Sequence, residues 1–130
     1  MRYLKWAVPL LLVSVLGCSG NSIIASNEIA SAQDALQTAR NAQASSYAGE
    51  QYKAAENTLN QARQQMQDKE YNAAIKLSRV AALQAHYATA VAQWKIKSNE
   101  VGQAQAALQM VKSEVDFLRS QIEEVKKQVQ

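Results

Sequence analysis

Few side chains in this 130-residue sequence have the type and placing that chemistry requires, and Cys18 leads them. It is the sole cysteine, and it closes an apolar run that follows Arg2 and Lys5. A charged start, a short apolar stretch from Trp6 to Leu16 and the small residue Gly17 make a secretory signal with a processing site at residues 1–17. As a helix, the twelve residues from Trp6 to Gly17 span ~18 Å, short of the ~30 Å hydrocarbon core. The segment therefore reads as removed rather than spanning, which leaves Cys18 at the processing site. One cysteine also means no internal disulfide.

The other candidates fail for want of partners. His86 is the single histidine, and the nearest acids in sequence are Glu70 and Glu100, too far along one helix to meet it. The serines have no second histidine to act as base, and no Gly-rich phosphate loop exists. Glu123-Glu124 precedes Lys126-Lys127, which explains the acids as half of a solvated, charge-paired helix face. No enzyme activity, metal site or cofactor is expected.

Val15-Leu16-Gly17-Cys18 resembles the bacterial lipobox. That resemblance implies a diacylated cysteine that becomes the new first residue and is often N-acylated as well. Ser19, rather than aspartate, after the cysteine implies retention at the outer membrane. Removing Arg2 and Lys5 with the signal lowers the formal charge from +3 to +1, so the basic balance belongs partly to the signal. The remaining Lys and Arg are scattered among Glu and Asp, which argues against a nucleic-acid partner.

The elements that must position anything else are helices. After Ser26 there is no proline, glycine occurs only at Gly49 and Gly102, and Ala, Gln, Glu, Lys and Leu dominate. Residues 18–26 read as the lipidated cysteine and a small, polar, flexible tether. A first helix is predicted over 27–44, with Ile29, Ala32, Leu36 and Ala39 on one face. A second runs over 49–67 through Tyr52, Ala55, Leu59, Ala62 and Met66, and Asp68 is placed to cap a third. Tyr52-Lys53-Ala54-Ala55 with Ala62 is echoed by Tyr71-Asn72-Ala73-Ala74 with Ala81, a spacing that suits tyrosine packed against alanine across a hairpin. Tyr52, Ala55, Leu59, Tyr71 and Ala74 are the candidate hairpin-packing residues.

From Val80 a series at alternating steps of three and four runs through Leu83, Tyr87, Ala90 and Trp94, with Lys97 its one polar member. From Val101 it becomes a sustained coiled-coil seam: Val101, Leu108, Val111, Val115, Leu118, Ile122, Val125 and Val129 are the candidate interface. Lys112, Glu114, Arg119 and Lys126 flank it, and Glu114 can pair with Arg119 of a parallel partner. Tyr87 and Trp94 are expected as packing residues of the seam. Two geometries compete. In one, residues 70–127 form a rod ~87 Å long; in the other, a break near Ser98–Gly102 folds the last segment back into a four-helix bundle. The rod is favoured, because Gly102 costs a helix only ~1 kcal/mol and no proline enforces a turn.

The fold expected is all-α: an antiparallel helical hairpin packed on a long third helix whose C-terminal half is a coiled coil. Residues 27–97 form an Ala-rich three-helix domain and residues 98–130 the coiled-coil helix. The lipobox, the Ala-rich first helix, Ser46-Tyr47-Ala48 and Tyr71-Asn72-Ala73-Ala74 together resemble an alanine-rich, tetratricopeptide-like helical domain of unknown function in bacterial envelope lipoproteins, over about residues 26–92. The resemblance implies an envelope lipoprotein with no catalytic residues to transfer. Some members carry an OmpA-type wall-binding module where this chain has its heptad tail, so peptidoglycan association is left open. The chain also resembles the short murein lipoprotein in joining an anchor to a coiled coil, but it ends Lys126-Lys127-Gln128-Val129-Gln130 rather than in the lysine used for wall attachment.

Two functions from different classes follow. The first is a non-enzymatic, periplasm-facing structural spacer or assembly scaffold on the outer membrane, associating with its own copy or another helical protein. The alternative is a tetratricopeptide-like accessory subunit that holds a peptide or protein in an Ala/Tyr-lined groove. A groove lined by Tyr47, Tyr52 and Tyr71 would favour the second.

Overall fold

A computed structural model describes residues 19–129 of the chain. The signal segment and Cys18 lie outside the described residues. Four helices follow in order: α1 (Ser19–Asn41), α2 (Ala44–Tyr47), α3 (Gly49–Gln67) and α4 (Tyr71–Val129). No strand occurs among the described residues, so the architecture is all-α.

The core is built largely from methyl groups. Ala32, Ala35 and Ala39 of α1, Ala55 of α3 and Ala81, Ala85, Ala88 and Ala92 of α4 are buried together. Leu36, Tyr52 and Leu59 are the large side chains among them. Alanine lets helix backbones approach closely and also has the highest helix propensity, so one residue choice serves both local structure and packing. α1 and α3 each lean chiefly on α4 and less on one another. The sequence echo is matched in burial, since Ala55 and Ala74, and again Ala62 and Ala81, are all fully buried.

Both chain reversals use a left-handed residue that is not glycine. Lys69, with φ 63°, ends α3 in a Schellman-type turn: Glu70 N–H donates to the Gln65 carbonyl and Lys69 N–H to that of Met66. Gln43, with φ 58°, makes the corresponding break after α1. Asp68 therefore closes α3 and accepts hydrogen bonds from Gln64 Nε2, while Glu70 supplies the carbonyl that Ala74 N–H meets at the start of α4. The expected cap of the third helix by Asp68 is not made. Residues 19–26, expected as a tether, form the opening turns of α1, with Ala25 fully buried.

α4 is continuous over 59 residues and crosses Gly102 without interruption. Its tail projects as the rod geometry requires: from Lys97 onward every described residue is exposed. No fold-back bundle forms.

Candidate helix-association face

The geometry of α4 sorts its side chains onto two opposed faces. Ala74, Ser78, Ala81, Ala85, Ala88 and Ala92 are its buried residues, at alternating steps of four and three. Val80, Leu83, Tyr87, Ala90 and Trp94 each follow one of these by two positions, from Ser78 onward. At about 100° per residue a two-residue offset is about 200°, so the apolar series lies on the far side of the helix from the core. Its members are accordingly open to solvent: Leu83 is 69% exposed, Tyr87 60% and Trp94 68%. Tyr87 and Trp94, expected as packing residues of the seam, are mostly exposed among the described residues.

The same stripe continues down the tail in unbroken phase. Val101, Leu108, Val111, Val115, Leu118, Ile122, Val125 and Val129 are all exposed. Of the inward face, the sequence pointed to Ala74 and Ala81 and left Ser78, Ala85, Ala88 and Ala92 unassigned. Its signal was present as a second three-and-four series of small residues, offset by two from the bulky one and running only from Ala74 to Ala92.

Relief along the stripe suits a helical partner. Leu118, Gln121, Ile122 and Val125, with Lys126 at the rim, enclose a shallow hollow. Their spacing of i, i+3, i+4 and i+7 is that of the four residues forming a hole for one knob of a facing helix. Within the otherwise apolar stripe, Lys97 Nζ donates to Glu100 Oε2 at 2.8 Å, which satisfies its charge along its own helix.

Polar contacts hold the three-helix domain from its edges. Arg79 Nε and Nη2 both donate to Glu28 Oε1, at 2.9 and 2.7 Å, clasping α4 to α1. The partner carboxylate holds the Arg79 guanidinium above its ordinary range, through the hydrogen bond first and charge second. Arg40 Nε donates to the Tyr52 hydroxyl at 3.2 Å, and its Nη2 lies 3.9 Å from Glu56 Oε1, linking α1 to α3.

Between α1 and α3 lies a groove of about 410 Å³. Its walls are polar, with Gln33, Gln37, Asn57 and Asn60 beside Arg40, Lys53 and Arg63. Of the three tyrosines, Tyr52 alone lines it, and that ring is only 7% exposed. Tyr47 packs half-buried against the core, and Tyr71 is half-buried at the start of α4. Tyr52, Ala55, Leu59 and Ala74, the other candidate hairpin residues, are buried.

His86 is exposed on α4, beside the stripe. Among the described residues no group of histidine, cysteine and carboxylate side chains is placed to hold a metal ion. None of the described helices is long and apolar enough to cross a membrane.

A family profile described as Domain of unknown function (DUF4398) matches residues 27–104, more than half of the chain. The protein belongs to that family. The match takes in the whole three-helix domain except the opening of α1, and it ends two residues past Gly102. No curated protein and no solved structure matches the chain.

Proposed function

We propose that this protein is a lipid-anchored, non-enzymatic component of the bacterial cell envelope, held at the outer membrane through Cys18 and facing the periplasm. There it acts as a structural spacer or assembly scaffold by helix–helix association. The observation that carries this reading is the apolar stripe left uncovered along a helix that projects far beyond its own domain.

The direction of projection supports it. The Arg79–Glu28 pair sets the start of α4 beside the start of α1, and the up-down-up topology makes these two helices parallel. An anchor at Cys18 therefore sits at the near end. Val129 lies 50 residues beyond Arg79, or ~75 Å farther along the axis. With α1 helical from Ser19, the rod begins close to the anchor rather than at the end of a slack tether. The hairpin's Tyr-x-Ala-Ala echo is the support for a tetratricopeptide-like ancestry within the same reading. The accessory-subunit alternative has less support, because the groove is lined mostly by amides and charges, with no alanine and with Tyr52 as its one tyrosine.

Anchoring is tested by intact mass of the membrane-derived protein and by Cys18→Ala. One acyl chain holds a membrane only marginally and two or three hold it stably, so the variant should leave the membrane fraction or stay unprocessed. A wild-type chain that carries no acyl mass rejects the anchor. Deleting residues 108–121 tests the role, since it removes two heptads, preserves the phase of the stripe and shortens the rod by ~21 Å. A spacer loses function on that change and a scaffold keeps it. Wild-type behaviour after truncation of the whole tail past Lys97 would rule out both.

A further inference from the structure

Resting on the helix-association reading above, we propose that the occupant of the α4 stripe is a second copy of this chain, parallel and in register, and that the interface runs from Val80 to Val129 across the domain as well as along the tail.

Four observations carry it. First, the stripe has no phase break. With Val80 as a first heptad position, Tyr87, Trp94, Val101, Leu108, Val115, Ile122 and Val129 all fall on the same position. A helix seated in register on the tail is thereby aligned with Trp94, Tyr87 and Leu83 on the domain. Second, nothing obstructs it there, because α1 and α3 occupy the opposite face of α4 and the stripe residues of the domain stay exposed.

Third, the flanking charges select direction. On one flank of the tail stripe stand Lys112, Arg119 and Lys126, and on the other Glu114, Gln121 and Gln128. An antiparallel pair sets each flank against its own kind, which brings the three cations of one copy against those of the other. A parallel pair sets Arg119 against Glu114 on both sides, Lys126 against Gln121 and Lys112 against Ala107, with no like charges opposed. The hollow formed by Leu118, Gln121, Ile122 and Val125 agrees, because that set of four accepts a first-position knob, Ile122 of the second copy, in parallel packing.

Fourth, the area suffices. A Val or Leu side chain worth about 1.5–3 kcal/mol at about 25 cal/mol per Å² buries roughly 60–120 Å² on going from full exposure to full burial. Twelve exposed large apolar residues lie on the stripe, so a pair buries at most roughly 700–1,400 Å² per copy, against about 800 Å² for a specific complex. The tail alone, with eight of the twelve, gives roughly 500–1,000 Å², a third less than the whole stripe. A stable pair therefore favours the domain portion being used too.

The test is disulfide trapping in intact envelopes with the full chain carrying Leu83→Cys or Val125→Cys, the unsubstituted chain controlling for Cys18. Both positions share the fourth heptad place, one on the domain and one on the tail. The proposal expects each variant to give an adduct of twice the chain mass, and Trp94→Glu to abolish the Leu83→Cys adduct while the helical circular dichroism is retained. Trapping at Val125→Cys alone overturns the extended interface and leaves association by the tail. No trapping at either site, with native mass spectrometry still showing an assembly, overturns the parallel self-pair and leaves the broader association reading intact. An adduct to a different mass overturns the second copy as occupant. A monomer at micromolar concentration overturns both readings.

Discussion

Replacing Leu59 and Leu83 with alanine, one at a time, should separate the two apolar systems of the molecule. Leu59 is 2% exposed and is one of only three large side chains in a buried cluster otherwise made of alanine. Removing three buried carbons costs about 2.4 kcal/mol in transfer alone, and the cavity term raises the loss to roughly 3–4 kcal/mol. At about 0.05–0.15 kcal/mol per residue, a domain of this size has roughly 4–12 kcal/mol in total. The loss is thus a large share of it, and the melting temperature should fall by roughly 12–25 °C. Leu83 keeps less than a third of its side chain covered, so the same truncation costs under about 1 kcal/mol to the monomer. Thermal melts followed by circular dichroism, repeated over a hundredfold range of protein concentration, distinguish the cases. Leu59→Ala should lower the melting temperature at every concentration, and Leu83→Ala should act only where association contributes. A concentration-independent loss at Leu83 equal to that at Leu59 would refute the two-faced arrangement and require that the stripe be packed within the chain.

Lys69→Gly should stabilise the domain by about 0.5–1 kcal/mol in urea titrations, because Lys69 holds a left-handed conformation that glycine adopts without steric cost; a loss would mean the lysine side chain itself matters. Gly102→Ala should raise helix stability by about 0.5–1 kcal/mol with function retained, since a methyl there meets nothing within 4 Å, and loss of function in a more stable chain would identify a needed hinge. Arg79→Gln should lower the melting temperature at low salt and much less at 1 M salt, because the clasp with Glu28 is exposed and screened. The raised pKa of Arg79 contributes stability that is fully present below the ordinary arginine range and is lost only above it, so this pair gives no base-induced loss between pH 6 and 10.

Periodicity made some of this fold legible and composition hid the rest. The bounds of α3 at residues 49–67 were readable because Tyr52, Ala55, Leu59 and Ala62 repeat at helical spacing between two turn signals, and all four are buried. The start of α1 was not, because residues 19–22 are small and polar and look like a linker, while the one residue that anchors this stretch, Ala25, is of a type found on either side of a helix. The turn at Lys69 was equally silent, since a left-handed lysine carries no compositional mark and Asp68 looked like a cap. As for the association face, the stripe itself was plain in sequence, but its orientation was not. Bulky residues are ordinarily assigned to the interior, and here the alanines occupy it.

That inversion ties the domain to the stripe physically. An alanine core brings α1 and α3 close against α4 but buries little apolar area per contact, so the domain is held by a thin margin and by edge clasps such as Arg79–Glu28. Had Leu83, Tyr87 and Trp94 faced inward, the helices would stand farther apart, the domain would be more stable alone, and α4 would have no outward surface continuous with its tail. With the bulky residues outside, the proposed pairing would hold the strongest hydrophobic contribution of the described residues back until a second helix arrives. Association then adds to the stability of the domain by mass action as well as joining the tails. The coupling runs both ways: Leu59→Ala, a change wholly inside one copy, should weaken pairing by misaligning the domain half of the stripe, while leaving a tail-only contact in place. Trapping at Leu83→Cys should therefore fall in the Leu59→Ala background well before trapping at Val125→Cys does. Equal loss at both sites would show that α4 pairs as a rod without regard to the helices on its other face.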